Sequence, residues 1–279
     1  MIYLRLARLD KPVGIYLLLW PSLMGLMLGA LNEGYIHFEN YLIVLAGAIL
    51  VRSCGCVIND ISDYKFDKLV SRTKDRPIAK GEVSLKGAWI FFSILASSCL
   101  SLLIFVPETT LKISLFIAIF ILVYPLTKRF LKAPQFFLGI TFGSGTLISY
   151  SLVSTNFSLS ILLLFIGTVL WIISFDTIYA LEDIEDDKLI GINSTPILWG
   201  DKAIIISKIL HLLFYFSLLL IFYINQFSPL FLAILLLLFC IYFYQNSLVN
   251  QGKYLKSFKM NNLVGMIASI SFAIEIFLI

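Results

Sequence analysis

Apolar runs of roughly 20 residues alternate with short polar clusters along the whole chain, which is the length a helix needs to cross a hydrocarbon core about 30 Å thick. Nine such runs are predicted as spans, near 13 to 31, 40 to 58, 85 to 105, 113 to 127, 135 to 153, 160 to 181, 203 to 224, 228 to 245 and 261 to 279. Pro125 interrupts the end of the fourth, and Lys128 and Arg129 follow at once. The first run is long, begins after a charged stretch and lacks a small-residue cleavage pattern, so it reads as a span rather than a signal peptide. No Gly/Ser linker or low-complexity stretch divides the chain. The expected fold is all-α: a polytopic membrane bundle of about nine transmembrane helices, forming a single domain over residues 1–279.

Composition sharpens this. The chain is 59% hydrophobic and 14% charged, whereas a soluble domain is roughly 45 to 50% apolar and about 25% charged. The lipid bilayer is therefore the expected solvent, and nucleic acid is not an expected partner. Cys54, Cys56, Cys99 and Cys240 lie in or beside apolar runs without metal-ligand spacing and read as small core hydrophobes. His37 and His211 stand apart from each other and from the acidic clusters, and both read as interfacial polar residues.

Basic residues alternate between connections, which orients the bundle. Residues 1 to 12 carry Arg5, Arg8 and Lys11, and the connection after the second span carries Lys65, Lys68, Arg72, Lys74, Arg76 and Lys80. The connections around Asn32 to Glu39, Thr155 and Gln226 carry none. The N-terminus is thus expected in the cytoplasm, and the connections after spans two and six fall on that same side. Those two connections hold nearly all the acidic residues, and each is followed by a Gly- or Pro-containing loop, an echo that suggests two related halves with a site between them.

The first acidic cluster is N-D-I-S-D-Y-K-F-D, with Asn59, Asp60, Asp63 and Asp67. Steps of three and four put its aspartates on one helix face, where like charges repel unless cations neutralise them. Mg2+ suits such hard oxygen ligands, and it is held by one or two carboxylates plus substrate phosphates rather than by a closed protein cage. The second cluster, D-T-I-Y-A-L-E-D-I-E-D-D, repeats the spacing at Asp176, Tyr179, Asp183 and Asp187, and predicts one helix stripe running from within the membrane to its surface. Asp176 lies inside the predicted span, where a carboxylate costs about 2.5 to 3.5 kcal/mol and is functional by default.

Candidate phosphate ligands are Arg72 and Arg76 in S-R-T-K-D-R-P, and Tyr124 and Lys128 in Y-P-L-T-K-R. Arginine forks match phosphate oxygens in pairs, and lysine supplies a point charge. Arg129 and Lys132 read as orienting charges. Arg52 sits inside an apolar run, seven residues before Asn59, and must face the bundle interior and an anion. Two readings stand for it: an ion pair with Asp176, or a grip on the anionic group of a small substrate.

These residues resemble a family. N-D-x-x-D-x-x-x-D with R-x-x-x-R-P, Y-P-x-x-K-R and D-x-x-Y-A-x-x-D-x-x-x-D-x-x-x-G-I-x-S-T look like the UbiA superfamily of intramembrane prenyltransferases. The segment L-D-K-P-V-G-I-Y-L-L-L-W-P, from Leu9 to Pro21, is similar to its 4-hydroxybenzoate polyprenyltransferase branch. The match runs through about the first 200 residues, with Ile184 and Asn193 standing where relatives often carry polar or basic residues. The resemblance implies a nine-helix bundle with a lateral opening to lipid. It implies that Asn59, Asp63, Asp67, Asp183 and Asp187 organise Mg2+ and diphosphate, that Arg72, Arg76 and Lys128 contact the phosphates, and that Arg52 lies near the aromatic acceptor.

The implied reaction is Mg-dependent transfer of a polyprenyl group from polyprenyl diphosphate to the ring carbon of 4-hydroxybenzoate ortho to its hydroxyl, in ubiquinone biosynthesis at a bacterial inner membrane. Asp183 and Asp176 are the candidate catalytic carboxylates, favouring phenolate character or accepting the ring proton. Rival readings are a relative with another acceptor, such as homogentisate, a dihydroxynaphthoate or haem, and an ion or phosphate transporter, which would also carry intramembrane Asp and Arg.

Overall fold

The computed structural model describes residues 1–35, 37–69 and 73–278, without the side chains of Lys128, Arg129 and Ile190. Every regular element among them is helical: α1 (Ile2–Leu6), α2 (Val13–Glu33), α3 (Phe38–Asp67), α4 (Leu85–Leu102), α5 (Glu108–Phe130), α6 (Pro134–Tyr150), α7 (Leu159–Ala180), α8 (Ile184–Ile190), α9 (Thr195–Trp199), α10 (Ala203–Asn225), α11 (Pro229–Asn250) and α12 (Tyr254–Leu278), with two short 3₁₀ turns at Leu103–Phe105 and Gly200–Lys202. Nine of the described helices are long and follow the nine predicted runs. Eight are long and apolar enough to cross a membrane, and α6, at 17 residues, falls just short of that length. The protein is an integral membrane protein.

Helix α2 packs against α3, α6 and α12; α6 joins α5 to α7; α7 lies against α10 and α12; and α11 closes the far side between α10 and α12. Close approach depends on residues without side chains, as expected where lipid removes the hydrophobic drive between helices. A Cβ on Gly25 would collide with the Thr146 carbonyl of α6, and one on Gly265 would meet Trp20 and Trp171. The main core gathers Trp171, Phe214, Tyr215, Phe231 and Phe272, all fully buried.

A second, smaller core lies beneath α1, where Leu6 is fully buried with Val57, Ile61, Ile78 and Val83. Burying such a leucine stabilises by roughly 1.5 to 3 kcal/mol, which fastens the N-terminal segment over the polar end of α3. Arg5 adds bonds to Glu82 at 2.9 Å and to the Asp75 carbonyl at 3.2 Å. The Glu82 carboxyl is held below the usual carboxylate range, chiefly by its hydrogen bond from Lys80, with Arg5 adding to it.

Four expectations change. Pro125 does not end its helix: α5 runs on to Phe130 with the proline inside it, as membrane helices tolerate when neighbours re-satisfy the freed carbonyl. The second acidic stripe is not one helix, because α7 stops at Ala180 and α8 starts at Ile184, with Asp183 as its N-cap residue. His211 is not interfacial. It is buried in α10 against Tyr215 and Tyr242, with ring centroids 4.9 and 5.5 Å away, and its Nε2 has no partner. Cys240 is exposed on α11 rather than in the core.

Candidate active site

Helix α3 continues for 30 residues through the whole first acidic cluster, so one rigid rod carries Arg52, Asn59, Asp63 and Asp67. With a rise of about 1.5 Å per residue, Arg52 lies on the order of 10 Å deeper along it than Asn59. Asp60, Asp63 and Asp67 are all buried. Asp67 accepts both bonds of a fork from Arg76 Nη1, at 3.0 and 2.9 Å. Asp60, only 2% exposed, accepts from Arg8 Nη2 at 3.1 Å on each oxygen and pairs with Arg76 Nη1 at 3.2 Å. Asn59 Oδ1 is buried with no hydrogen-bond partner.

The second segment is re-aimed by its break. Asp176 and Tyr179 sit half-buried in the last turns of α7, where Tyr179 packs on Phe258 of α12 with centroids 4.5 Å apart. Past the turn, Asp183 holds the N-cap position of α8, and its carbonyl accepts from the Asp187 amide at 2.8 Å. Glu185, Asp186 and Asp187 then crowd the first turn of α8, where the helix dipole favours negative charge. Gly191, at φ +70°, ends α8 in the left-handed conformation that glycine adopts without penalty. The chain returns to the bundle through Thr195, whose amide donates to Gln135 Oε1 and whose hydroxyl pairs with Thr177.

Tyr124, from α5, joins the two segments. Its hydroxyl lies within electrostatic reach of Asp176 on α7 and of Arg52 and Asp63 on α3. Arg52 itself is stacked at 5.5 Å over the ring of Phe142 on α6. A Cβ at Gly14 would sit 2.5 Å from Arg52 Nε, so the guanidinium rests directly on bare α2 backbone, and that Nε is buried without a partner. A partly buried guanidinium whose Nε is sealed from solvent with its donor unused is suited to an anion.

Arg52, Asp63 and Asp176 thus all lie within electrostatic range of Tyr124, and Arg76 is bonded to Asp67. Arg72, and the side chain of Lys128, lie outside the described residues. Neither the pairing of Arg8 with Asp60 nor the Gly14 and Phe142 cradle follows from motif spacing. Arg8 reads along the chain only as an orienting charge, and Asp60 as one more carboxylate of the cluster.

Among the described residues no group of three or more His, Cys, Asp or Glu side chains is close enough to hold a metal ion by itself. The donor set nevertheless fits Mg2+: it is all hard oxygen, it includes the orphaned Asn59 Oδ1, and its carboxylates Asp63 and Asp67 are crowded further by the like charge of neighbouring Asp60. A preformed cage is not needed by an ion that takes much of its shell from phosphates and water.

Comparison with known proteins bears on the family and the fold. Residues 18–265 match the UbiA prenyltransferase family. The chain is 36% identical over 272 residues to a 4-hydroxybenzoate octaprenyltransferase from Vesicomyosocius okutanii subsp. Calyptogena okutanii, covering 96% of this chain and 99% of that one. It superimposes with a TM-score of 0.80 on the apo structure of a UbiA homolog from Aeropyrum pernix K1, at 25% identity over 92% of this chain and 97% of the other. The fold is also shared, with a TM-score of 0.76 and 18% identity over 98% of this chain and 99% of the other, by a UbiA homolog from Archaeoglobus fulgidus bound to GPP and Mg2+.

Proposed function

This chain belongs to the UbiA prenyltransferase family, and we propose that it transfers a polyprenyl group from polyprenyl diphosphate to the ring carbon of 4-hydroxybenzoate ortho to the hydroxyl, with Mg2+ as cofactor. The observation that carries this reading is the setting of Tyr124: Asp63 and Asp176 from two separate helices, and the partly buried Arg52, all lie within electrostatic range of its hydroxyl. The relative that matches along nearly its whole length is named for the same acceptor.

Asn59, Asp63, Asp67, Asp183 and Asp187 would hold the ion, which supplies Lewis-acid neutralisation of the departing diphosphate. Arg72, Arg76 and Lys128 bind the phosphates and stabilise the charge that develops on them as the allylic C–O bond breaks. Tyr124 orients a phosphate oxygen beside them. Arg52, held by Gly14 and Phe142, grips the acceptor carboxylate and so turns the ring's hydroxyl edge toward the carboxylates. Asp183 or Asp176 favours phenolate character or takes the ring proton once the new C–C bond has formed. The excess of Lys and Arg in the N-terminal segment and in the connections that carry the acidic clusters supports a site on the cytoplasmic side of a bacterial inner membrane.

The test is to incubate protein purified in nanodiscs with Mg2+, geranyl diphosphate and a panel of phenolic acids, and to identify products by mass spectrometry. A prenylated 4-hydroxybenzoate is expected. A product only with homogentisate or a dihydroxynaphthoate would overturn the acceptor assignment, and ion or phosphate flux without product would overturn the reaction.

A further inference from the structure

The ion pairs at the polar end of α3 form a chain that starts outside the motifs. Arg8 belongs to the segment after α1, and it adopts a left-handed backbone conformation, φ +59°, that a residue with a side chain seldom takes. Its reward is the two-bonded contact with Asp60. Asp60 is nearly inaccessible and would be expensive to keep charged without close cations. Arg8 approaches it from one side and Arg76 from another, and Arg76 in turn holds both oxygens of Asp67. All of Arg76's contacts to these carboxylates use Nη1. A guanidinium carries five N–H donors on three nitrogens, and a carboxylate about four acceptor positions. Arg76 and Asp67 can therefore bind each other and still engage a phosphate and a metal.

We propose that Asp60 is a positioning residue: clamped by Arg8, it sets the angle of the Arg76 guanidinium, and through it the carboxylate of Asp67, for the Mg2+-diphosphate. Asp60 touches neither substrate. It ties the N-terminal segment, fastened by Leu6 and Arg5, to the ionic face of α3, so the docking of that segment becomes part of site assembly. The acceptor end of the site, around Arg52, lies deeper along the same helix and is not in this chain of contacts. The inference rests on reading the acidic segments as a Mg2+-diphosphate site.

Asp60→Asn and Arg8→Ala in nanodiscs are expected to raise both the half-saturating Mg2+ concentration and the apparent KM for geranyl diphosphate by about tenfold, the size of effect that losing one charge-assisted contact produces. The KM for 4-hydroxybenzoate should stay within about twofold, and Arg8→Lys should recover part of the loss because it keeps the charge without the fork. Binding of geranyl thiolodiphosphate with Mg2+, followed by thermal shift, should weaken in parallel without any turnover. Arg8 is partly exposed, so its variants remain informative if Asp60→Asn fails to fold. Unchanged Mg2+ saturation and analogue binding in Arg8→Ala, or equal KM losses for both substrates, would overturn the proposal. Wild-type turnover and analogue binding that need no divalent ion would instead overturn the underlying site reading.

Discussion

The two acidic segments share one spacing, yet the first lies on an unbroken helix of 30 residues while the second is cut between Ala180 and Ile184. In the first, repulsion among Asp60, Asp63 and Asp67 is answered inside the protein by Arg8 and Arg76. In the second, the break distributes the charges: Asp176 stays in the bundle within electrostatic range of Tyr124, Asp183 stands at the N-cap position of a new helix, and Asp187 joins that helix's favourable first turn. Identical intervals therefore serve two ends. One segment is a fixed rail carrying its own counter-charges, and the other is a hinged arm whose carboxylates are aimed separately.

If both segments hold one ion and its diphosphate, removing the ion must silence the enzyme despite this difference in build. Exhaustive chelation is expected to abolish prenylation, and added Mg2+ to restore it. Persistent turnover after chelation would mean that the arginines alone neutralise the rail and that the arm does something else.

Next in size, Asp63→Asn and Asp187→Asn should each cut product formation by at least about two orders of magnitude, as expected when a main electrostatic stabiliser is lost. The comparison becomes sharper if the rail and the arm suffer equally. Near wild-type turnover in a well-folded variant of either would make that carboxylate structural.

A third test separates depth from surface on the rail itself. Arg52→Ala should raise the KM for 4-hydroxybenzoate by well over tenfold, since truncating one partner of a desolvated charge pair costs roughly 2 to 5 kcal/mol. Gly14→Ala, which pushes the guanidinium from its cradle without removing it, should act in the same direction but less, by about 0.5 to 2 kcal/mol on the scale of a weakened hydrogen bond. Neither should alter the KM for the prenyl diphosphate. Titration of both substrates decides, and a selective loss for the diphosphate would move Arg52 to the wrong end of the site.

The span pattern was legible because a bilayer imposes length and apolarity on every helix, and nothing in the run from Ala203 to Leu278 needs more than that. The rail was legible because steps of three and four persist on a real helix. The break was not, since Leu181, Glu182 and Asp183 include no Gly or Pro and fit a helical stripe equally well; only the turn itself shows that Asp183 stands at the start of a new helix. Arg8 and Asp60 lie 52 positions apart, and no local pattern signals a contact at that range. His211 failed for a similar reason, because one histidine in an apolar run carries no sign of which face it occupies.

The smallest predicted effect concerns what the arm does for the rest of the bundle. Glu182, in the turn between α7 and α8, accepts a bond at 2.7 Å from the backbone amide of Leu255, the second residue of α12. That amide is one of the four unsatisfied donors at a helix start, and a carboxylate there also meets the positive end of the helix dipole. The hinge thus caps a distant helix, which explains why a break can be stable at this point: the turn residue forgoes an intrahelical role and gains a partner on α12. Caps of this kind are worth about 0.5 to 2 kcal/mol, and exposure at the site argues for the lower half of that range. Glu182→Ala should lower the thermal midpoint in nanodiscs by a few degrees, on the order of 2 to 4 °C for a chain of this size, with Mg2+ saturation and both KM values unchanged. A fall in turnover at constant stability would place Glu182 within the metal site, and the arm would then carry one more chemical carboxylate than its geometry now assigns to it.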